Sequence, residues 1–91
     1  MSYLLNISDQ ARDDLRKLKR DEPISFNKAK VLLEELQNHP KTGTGKPEPL
    51  SGDRSGQWSR RITLKHRLIY SIEESIVTVL VISAYGQYGD K

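Results

Sequence analysis

The chain has 91 residues, the length of one small domain, and it has no cysteine, which excludes disulfide bonds and cysteine-ligated zinc. With only two histidines, a histidine-rich metal site is not expected either. No apolar run reaches the roughly 18 residues of a membrane span. The N-terminal segment lacks the basic and apolar regions of a secretory signal. We therefore expect residues 1–91 to form a single cytoplasmic domain.

The first half of the chain predicts a strand followed by two helices. Residues 3–7 are short and apolar, and Ser8 is a good N-cap for a first helix. Pro23 suits the first turn of a second helix, and Asn38-His39-Pro40 ends it. Apolar residues recur at helical spacing in both segments: Ala11, Leu15 and Leu18, then Phe26, Ala29, Leu32, Leu33 and Leu36.

The second half predicts a loop and three strands. Glycines and prolines make residues 41–56 a loop, and the strand candidates are residues 57–64, 67–72 and 76–83. The last candidate is the most β-branched, so we expect a central strand covered on both faces. The order β-α-α-β-β-β predicts an α+β fold in which two helices pack on one face of a mainly antiparallel sheet.

The net charge is +3, and the excess positive charge lies in residues 41–67. Clustered cations favour a polyanion such as nucleic acid, and the alternative is a solvated basic face without a partner. The seven basic residues, against Glu48 and Asp53, are Lys41, Lys46, Arg54, Arg60, Arg61, Lys65 and Arg67.

Glu48 lies between two prolines, which hold its backbone in a stiff, extended conformation. A general base needs such fixed placement, although the Pro-Glu-Pro segment could also be only a rigid connector. Alternation along residues 57–64 puts Arg60 on one face with Trp58, and Arg61 on the polar face. Arg61 and Arg67 share a face only if the loop between their strands has an odd number of residues.

One carboxylate among several cations suits RNA cleavage by a neighbouring 2′-OH, a reaction that needs no cofactor. The proton donor is less clear from the sequence. His66 is either catalytic or an exposed residue of a turn. Tyr85 and Tyr88 can donate a proton, stack on a base or simply cover the sheet edge, whereas Gln87 can orient groups but cannot transfer a proton.

Three motifs in this order, GKPEPL, SGQWSRRIT and HRLIYSI, followed by an apolar strand and a terminal tyrosine motif, resemble the YoeB/Txe toxins of bacterial toxin–antitoxin systems. These belong to the RelE-like group. The resemblance runs from about Gly43 to Tyr88. It implies the RelE-like microbial RNase fold and an mRNA endonuclease that acts in the ribosomal decoding site. It also implies a cognate antitoxin, no metal, and either a homodimer or a toxin–antitoxin hetero-oligomer.

The resemblance places the general base on Glu48, the phosphate-contacting arginine on Arg67 and a second cation on Arg61. The family usually ends in His-Tyr, and here those positions hold Gln87 and Tyr88, which we take as catalytic candidates. Because glutamine cannot replace an acidic histidine, either Tyr88, Tyr85 or a ribosomal group donates the proton, or the protein is a catalytically weakened translation inhibitor that binds RNA or the ribosome. The candidates for RNA contact are Lys46, Arg60, Arg61, Lys65 and Tyr85.

Overall fold

The computed structural model describes residues 2–86. Two helices and five strands follow one another along the chain: β1 (Leu4–Ile7), α1 (Asp9–Asp21), α2 (Pro23–Leu36), β2 (Glu48–Pro49), β3 (Gln57–Arg61), β4 (Arg67–Glu73) and β5 (Thr78–Ser83). The strands form one sheet in the order β1-β5-β4-β3-β2. Only the β1–β5 pair is parallel among these strands, so the predicted α+β fold with a mainly antiparallel sheet is confirmed.

Both helices begin where the sequence predicts. The Ser8 hydroxyl accepts a hydrogen bond from the N–H of Ala11 at 3.0 Å, which caps α1. The same hydroxyl donates to the carbonyl of Ile82 at 2.8 Å, so the cap also ties α1 to β5. Pro23 lies in the first turn of α2, where its missing N–H costs nothing.

The core lies between the helices and one face of the sheet. Helical residues at the predicted spacing pack there against alternate residues of β4 and β5. The fully buried members are Ala11, Leu18, Ala29, Leu32, Leu36, Leu68, Tyr70, Val79 and Val81. We call this the helical face of the sheet, and the opposite surface the open face.

Two features differ from the predictions. The segment predicted as a loop contains β2, whose two residues pair with β3 despite the prolines, because an edge strand tolerates a missing N–H. Strand β5 is internal, but Leu80 and Ile82 on it are only partly buried. The prediction that β5 is covered on both faces is therefore wrong for the open face, where no helix of residues 2–86 packs.

Candidate active site

Strand β3 holds the segment that carries Glu48. The N–H of Arg61 donates to the carbonyl of Gly45 at 2.7 Å, and Glu48 itself lies directly opposite Ser59. Gly45 has a φ of +86°, and a Cβ added there would lie 2.8 Å from the carbonyl oxygen of Arg61. Only glycine fits this close approach. Backbone pairing with β3, in addition to the two prolines, therefore fixes the position of Glu48.

The hairpin between β3 and β4 settles the open question about the two arginines. Strand β3 ends at Arg61 and β4 begins at Arg67, so the five residues 62–66 lie between them. This odd number puts both arginines on the same face, where they lie directly opposite each other. The buried neighbours of Arg67 on β4, Leu68 and Tyr70, point toward the helices. The arginines therefore lie on the open face.

Glu48 meets Arg67 on this face. The Nη1 atom of Arg67 lies 3.8 Å from Oε2 of Glu48, and the Glu48 side chain is half exposed. The contact reaches from β2 to β4 and so crosses β3. Because like charges directly opposite on neighbouring strands destabilise a sheet, the Arg61–Arg67 pair favours an added anion. The structure thus brings together the carboxylate and both cations that the resemblance assigns to chemistry.

Ser59 is a residue of this site that the sequence did not single out. It lies in the same cross-strand row as Glu48 and Ile69 and is completely buried. Its hydroxyl has no hydrogen-bond partner among the described residues. A small side chain at this position leaves room for the Glu48–Arg67 contact to cross β3. No signal in one sequence marks a serine between Trp58 and Arg60 as buried.

Arg60 lies on the helical face, where its side chain is 0% exposed. Its guanidinium donates to Oε1 of Glu35 at 2.8 Å and to the hydroxyl of Tyr70 at 3.2 Å. It also donates to the backbone carbonyls of three loop residues, His39, Thr42 and Thr44. Because every side of this guanidinium is occupied and none is accessible, the prediction that Arg60 contacts RNA does not fit its position. Arg60 instead holds residues 39–44, the loop that leads to Glu48.

The other two candidates for RNA contact among the basic residues are exposed. Lys46 precedes Pro47 and has a φ of 53°, an uncommon conformation that the surrounding loop must hold in place. Lys65 lies in the β3–β4 turn, with its Nζ atom 3.7 Å from Oε2 of Glu22. Their RNA contacts stay predictions.

The aromatic ring of Tyr85 lies against the helical side of the molecule. Its centroid is 4.3 Å from that of His66, and Nζ of Lys17 on α1 lies 4.3 Å from the ring. A base that stacked on Tyr85 would compete with these contacts, and the stacking stays a prediction. The remaining tail candidates, Gln87 and Tyr88, lie outside the described residues.

His66 is buried rather than an exposed residue of the turn. Its Nε2 atom lies 2.9 Å from Oε2 of Glu22, and its Nδ1 atom accepts a hydrogen bond from the N–H of Gly86 at 2.9 Å. The hydrogen bond with His66 is the main cause that lowers the pKa of Glu22. The expectation that a non-catalytic His66 would be exposed is wrong, because the ring is anchored at both nitrogens.

Away from the open face, a groove of about 250 Å³ lies beside α1. It is lined by Ile7, Arg12, Leu15, Arg16, Lys19 and Phe26. Since β1 and β2 form opposite edges of the sheet, this groove is remote from Glu48. Within residues 2–86, no three or more potential ligands of the His, Asp and Glu type cluster closely enough to hold a metal ion. No helix in the same range is long and apolar enough to cross a membrane.

Comparison with known proteins gives consistent matches to one group of toxins. Toxin YoeB of Escherichia coli K12 is 35% identical over 72 residues, which cover 79% of this chain and 86% of that protein. Toxin YoeB of Mycobacterium bovis is 53% identical over 49 residues, or 54% of this chain. The matched segment spans little more than half, 58%, of that relative's length.

Solved structures match over nearly the whole chain. The YoeB/ParE toxin from Agrobacterium tumefaciens has a TM-score of 0.87 and 35% sequence identity, with 93% of this chain and 99% of that chain covered. The Staphylococcus aureus YoeB dimer has a TM-score of 0.81 and 28% identity, with 97% and 100% covered. A family model described as the YoeB-like toxin of bacterial type II toxin–antitoxin systems matches residues 7–85. Since that match takes in most of the chain and the fold agrees with it, the chain belongs to the YoeB-like toxin family.

Proposed function

We propose that this toxin is a ribosome-dependent endoribonuclease that cleaves mRNA in the decoding site and so inhibits translation in the cytoplasm. The observation that carries this proposal is the open face, where Glu48 lies 3.8 Å from Arg67 and Arg61 lies directly opposite Arg67. A phosphodiester whose neighbouring 2′-OH faces Glu48 would place its phosphate over the two guanidinium groups. A site on an exposed sheet face also suits a substrate held by a particle as large as the ribosome.

In this mechanism the carboxylate of Glu48 removes the proton of the 2′-OH, whose oxygen then attacks the adjacent phosphorus. Arg67 and Arg61 stabilise the negative charge that develops on the phosphate oxygens. The bond from phosphorus to the 5′-oxygen breaks, and that oxygen takes a proton from Tyr88, with Gln87 orienting the leaving group. The products are a 2′,3′-cyclic phosphate and a 5′-hydroxyl, and the reaction needs neither water nor a metal ion.

The partners follow from the relatives. Solved structures include a YoeB–YefM complex from Staphylococcus aureus, which is 27% identical to this chain, and the YoeB dimer described above. A heterotetrameric YoeB–YefM complex from the same organism is also known. We propose that residues 1–91 act as one toxin domain that a cognate antitoxin neutralises in a hetero-oligomer, and that the free toxin forms a homodimer.

A second candidate function rests on Gln87, which replaces the histidine usual in the family. Without that proton donor, the toxin would occupy the decoding site and block translation while leaving the mRNA intact. General acid catalysis typically contributes ~10²–10⁴-fold, so its loss slows cleavage without abolishing it. Both arginines and Glu48 are retained, and for that reason we favour the nuclease.

Mapping mRNA 5′ ends after induced expression in bacteria tests the proposal, with Glu48→Gln as the matched control. Glu48→Gln preserves the shape of the half-exposed side chain and gives up a surface ion pair worth about 0.2–1 kcal/mol, so it should fold normally. We expect new 5′ ends within codons for the wild type and none for Glu48→Gln at equal protein level. Inhibited translation with intact mRNA would support the second candidate. Full toxicity of Glu48→Gln would remove Glu48 from the mechanism.

A further inference from the structure

After β5, residues 84–86 lead to the end of the described chain, and side chains that are distant in sequence hydrogen-bond to their backbone. The buried carboxylate of Asp14 accepts a hydrogen bond from the N–H of Ala84 at 2.9 Å. His66 accepts one from the N–H of Gly86 at 2.9 Å, and the carbonyl of Gly86 accepts one from the N–H of Arg67 at 2.8 Å. Both polar backbone groups of Gly86 are thus fixed, one of them by the residue that contacts Glu48.

The hydrogen bonds define which tautomer of His66 binds the N–H of Gly86. The N–H of Gly86 can only donate, so Nδ1 of His66 must carry a lone pair. The Nε2 atom lies 2.9 Å from a carboxylate oxygen of Glu22, which accepts hydrogen bonds, so Nε2 of His66 carries the hydrogen and donates to it. His66 is therefore the neutral Nε2–H tautomer, wedged between Glu22 and Gly86 and only 2% exposed.

Gly86 needs this support more than another residue would. It has a φ of +74°, and a Cβ added there would meet no atom of the described residues within 4 Å. Glycine is also the residue with the greatest freedom to lose. The hydrogen bonds at its N–H and carbonyl therefore restrict this glycine directly, in addition to the ring contacts of Tyr85.

We propose that His66 is a positioning residue for the cleavage reaction. By holding Gly86, whose carbonyl accepts a hydrogen bond from the N–H of Arg67, it fixes the backbone of the cation that we propose contacts the phosphate. This inference rests on the proposed function, since it gives His66 a role in that reaction without contact to the RNA. It assigns the buried imidazole to the placement of Gly86 and Arg67 rather than to proton transfer.

Two substitutions separate this role from a general contribution to folding. In His66→Asn the amide oxygen takes the place of Nδ1, so it can still accept from Gly86, but it no longer reaches Glu22. In His66→Gln the amide nitrogen reaches Glu22, and the acceptor for Gly86 is lost. If His66 only fills space, His66→Gln should be the milder change, because glutamine is larger than asparagine. If His66 positions Gly86, His66→Asn should be the milder one.

The test is single-turnover cleavage of a defined codon on saturating programmed ribosomes, together with ribosome affinity and hydrogen exchange at the Gly86 amide. We expect His66→Gln to cleave about 10- to 100-fold more slowly, with unchanged affinity and faster exchange at Gly86, because displacement by about 1 Å costs roughly a hundredfold. His66→Asn should recover most of both losses. His39→Gln, the same change at an exposed histidine, is the matched control and should behave as wild type.

The outcomes distinguish the two proposals. If the wild type leaves mRNA intact on the ribosome, the proposed function fails, and the role of His66 in cleavage fails with it. If the wild type cleaves and His66→Gln is equally fast, only the positioning role is overturned. The same holds if His66→Asn is the slower of the two. Should His66→Gln not fold, Glu22→Ala, which frees the imidazole from its anchor, should slow cleavage in the same assay, and a wild-type rate for it would overturn the inference.

Discussion

Replacing Arg60 with methionine should lower the free energy of unfolding of this toxin far more than the same change at the neighbouring Arg61. Arg60→Met keeps a long side chain under the loop but removes the charge and every hydrogen bond of the guanidinium. The carbonyls of His39, Thr42 and Thr44 then lose a donor, and the carboxylate of Glu35 keeps only its bonds to Thr44. These groups lie in a part-buried environment where water replaces a lost partner poorly.

The expected loss is large relative to the total stability. Breaking a buried ion pair by removing one partner costs about 3–5 kcal/mol, and Arg60 is completely buried. A small domain has only about 5–15 kcal/mol of unfolding free energy. At about 4–8 °C per kcal/mol, Arg60→Met should lower Tm by roughly 12–40 °C. Arg61→Met removes a partly exposed charge that faces Arg67, so its effect should stay within about 0.5 kcal/mol.

Urea unfolding followed by the fluorescence of Trp58, the single tryptophan, measures both variants. Trp58 packs against the core on the strand that carries both arginines, so its signal reports the relevant unfolding. The measurement is best made in a Glu48→Gln background, which should allow the toxin to accumulate. Unfolding free energies within about 1 kcal/mol for Arg60→Met and wild type, at the same m-value, would refute the structural role of Arg60.

The remaining predictions concern the loop and the open face. Gly45→Ala should lower the urea midpoint clearly more than Gly52→Ala, since both positions have positive φ but only a Cβ at Gly45 meets backbone, at 2.8 Å; equal midpoints would contradict the close approach. Ser59→Ala should leave the unfolding free energy unchanged or higher, because its buried hydroxyl has no partner to lose within residues 2–86; a loss above about 1 kcal/mol would show a hydrogen bond to another group. Hydrogen bonds, first from Thr44, hold the pKa of Glu35 below its ordinary 4.5. The ionised carboxylate therefore stabilises the fold fully above pH 4.5, and this contribution is lost as the pH falls through the lower pKa of the folded state. Glu35→Gln should therefore flatten the decline of stability below about pH 4.5, and an identical acid limb in wild type and Glu35→Gln would argue against the shift.

Local signals in the sequence predicted the helices and the strand order well. The cap at Ser8 and the proline at Pro23 define helix starts by backbone chemistry that needs no tertiary context. The apolar spacing of α2 likewise predicts its buried face, because a helix presents every third or fourth residue to the core. The fold class follows from these elements and the three strands behind them.

Contacts between distant residues could not be predicted in the same way. Alternation along β3 put Arg60 on the face of Trp58 and Ile62, which indicated burial. Its place among the basic residues 41–67 nevertheless led to the prediction of an RNA contact. Its main partner, Glu35, is 25 residues away and belongs to a helix. The support of Ala84 by Asp14 spans 70 residues. Such pairs depend on how the helices pack on the sheet, and the local patterns of one sequence do not predict that packing.

Unfavourable features collect on one side of this sheet. Arg61 faces Arg67, the hydroxyl of Ser59 is buried with no partner in the described part of the chain, and Lys46 has an uncommon backbone conformation, all near Glu48. On the helical face, by contrast, the equally polar Arg60 has all its donors satisfied. Since a small core offers little stability to spare, a structural role alone does not explain why the facing arginines and the buried serine hydroxyl lie together beside Glu48. An anion bound between the arginines would offset their repulsion, so a polyanion should raise the Tm of wild type and raise that of Arg61→Met less.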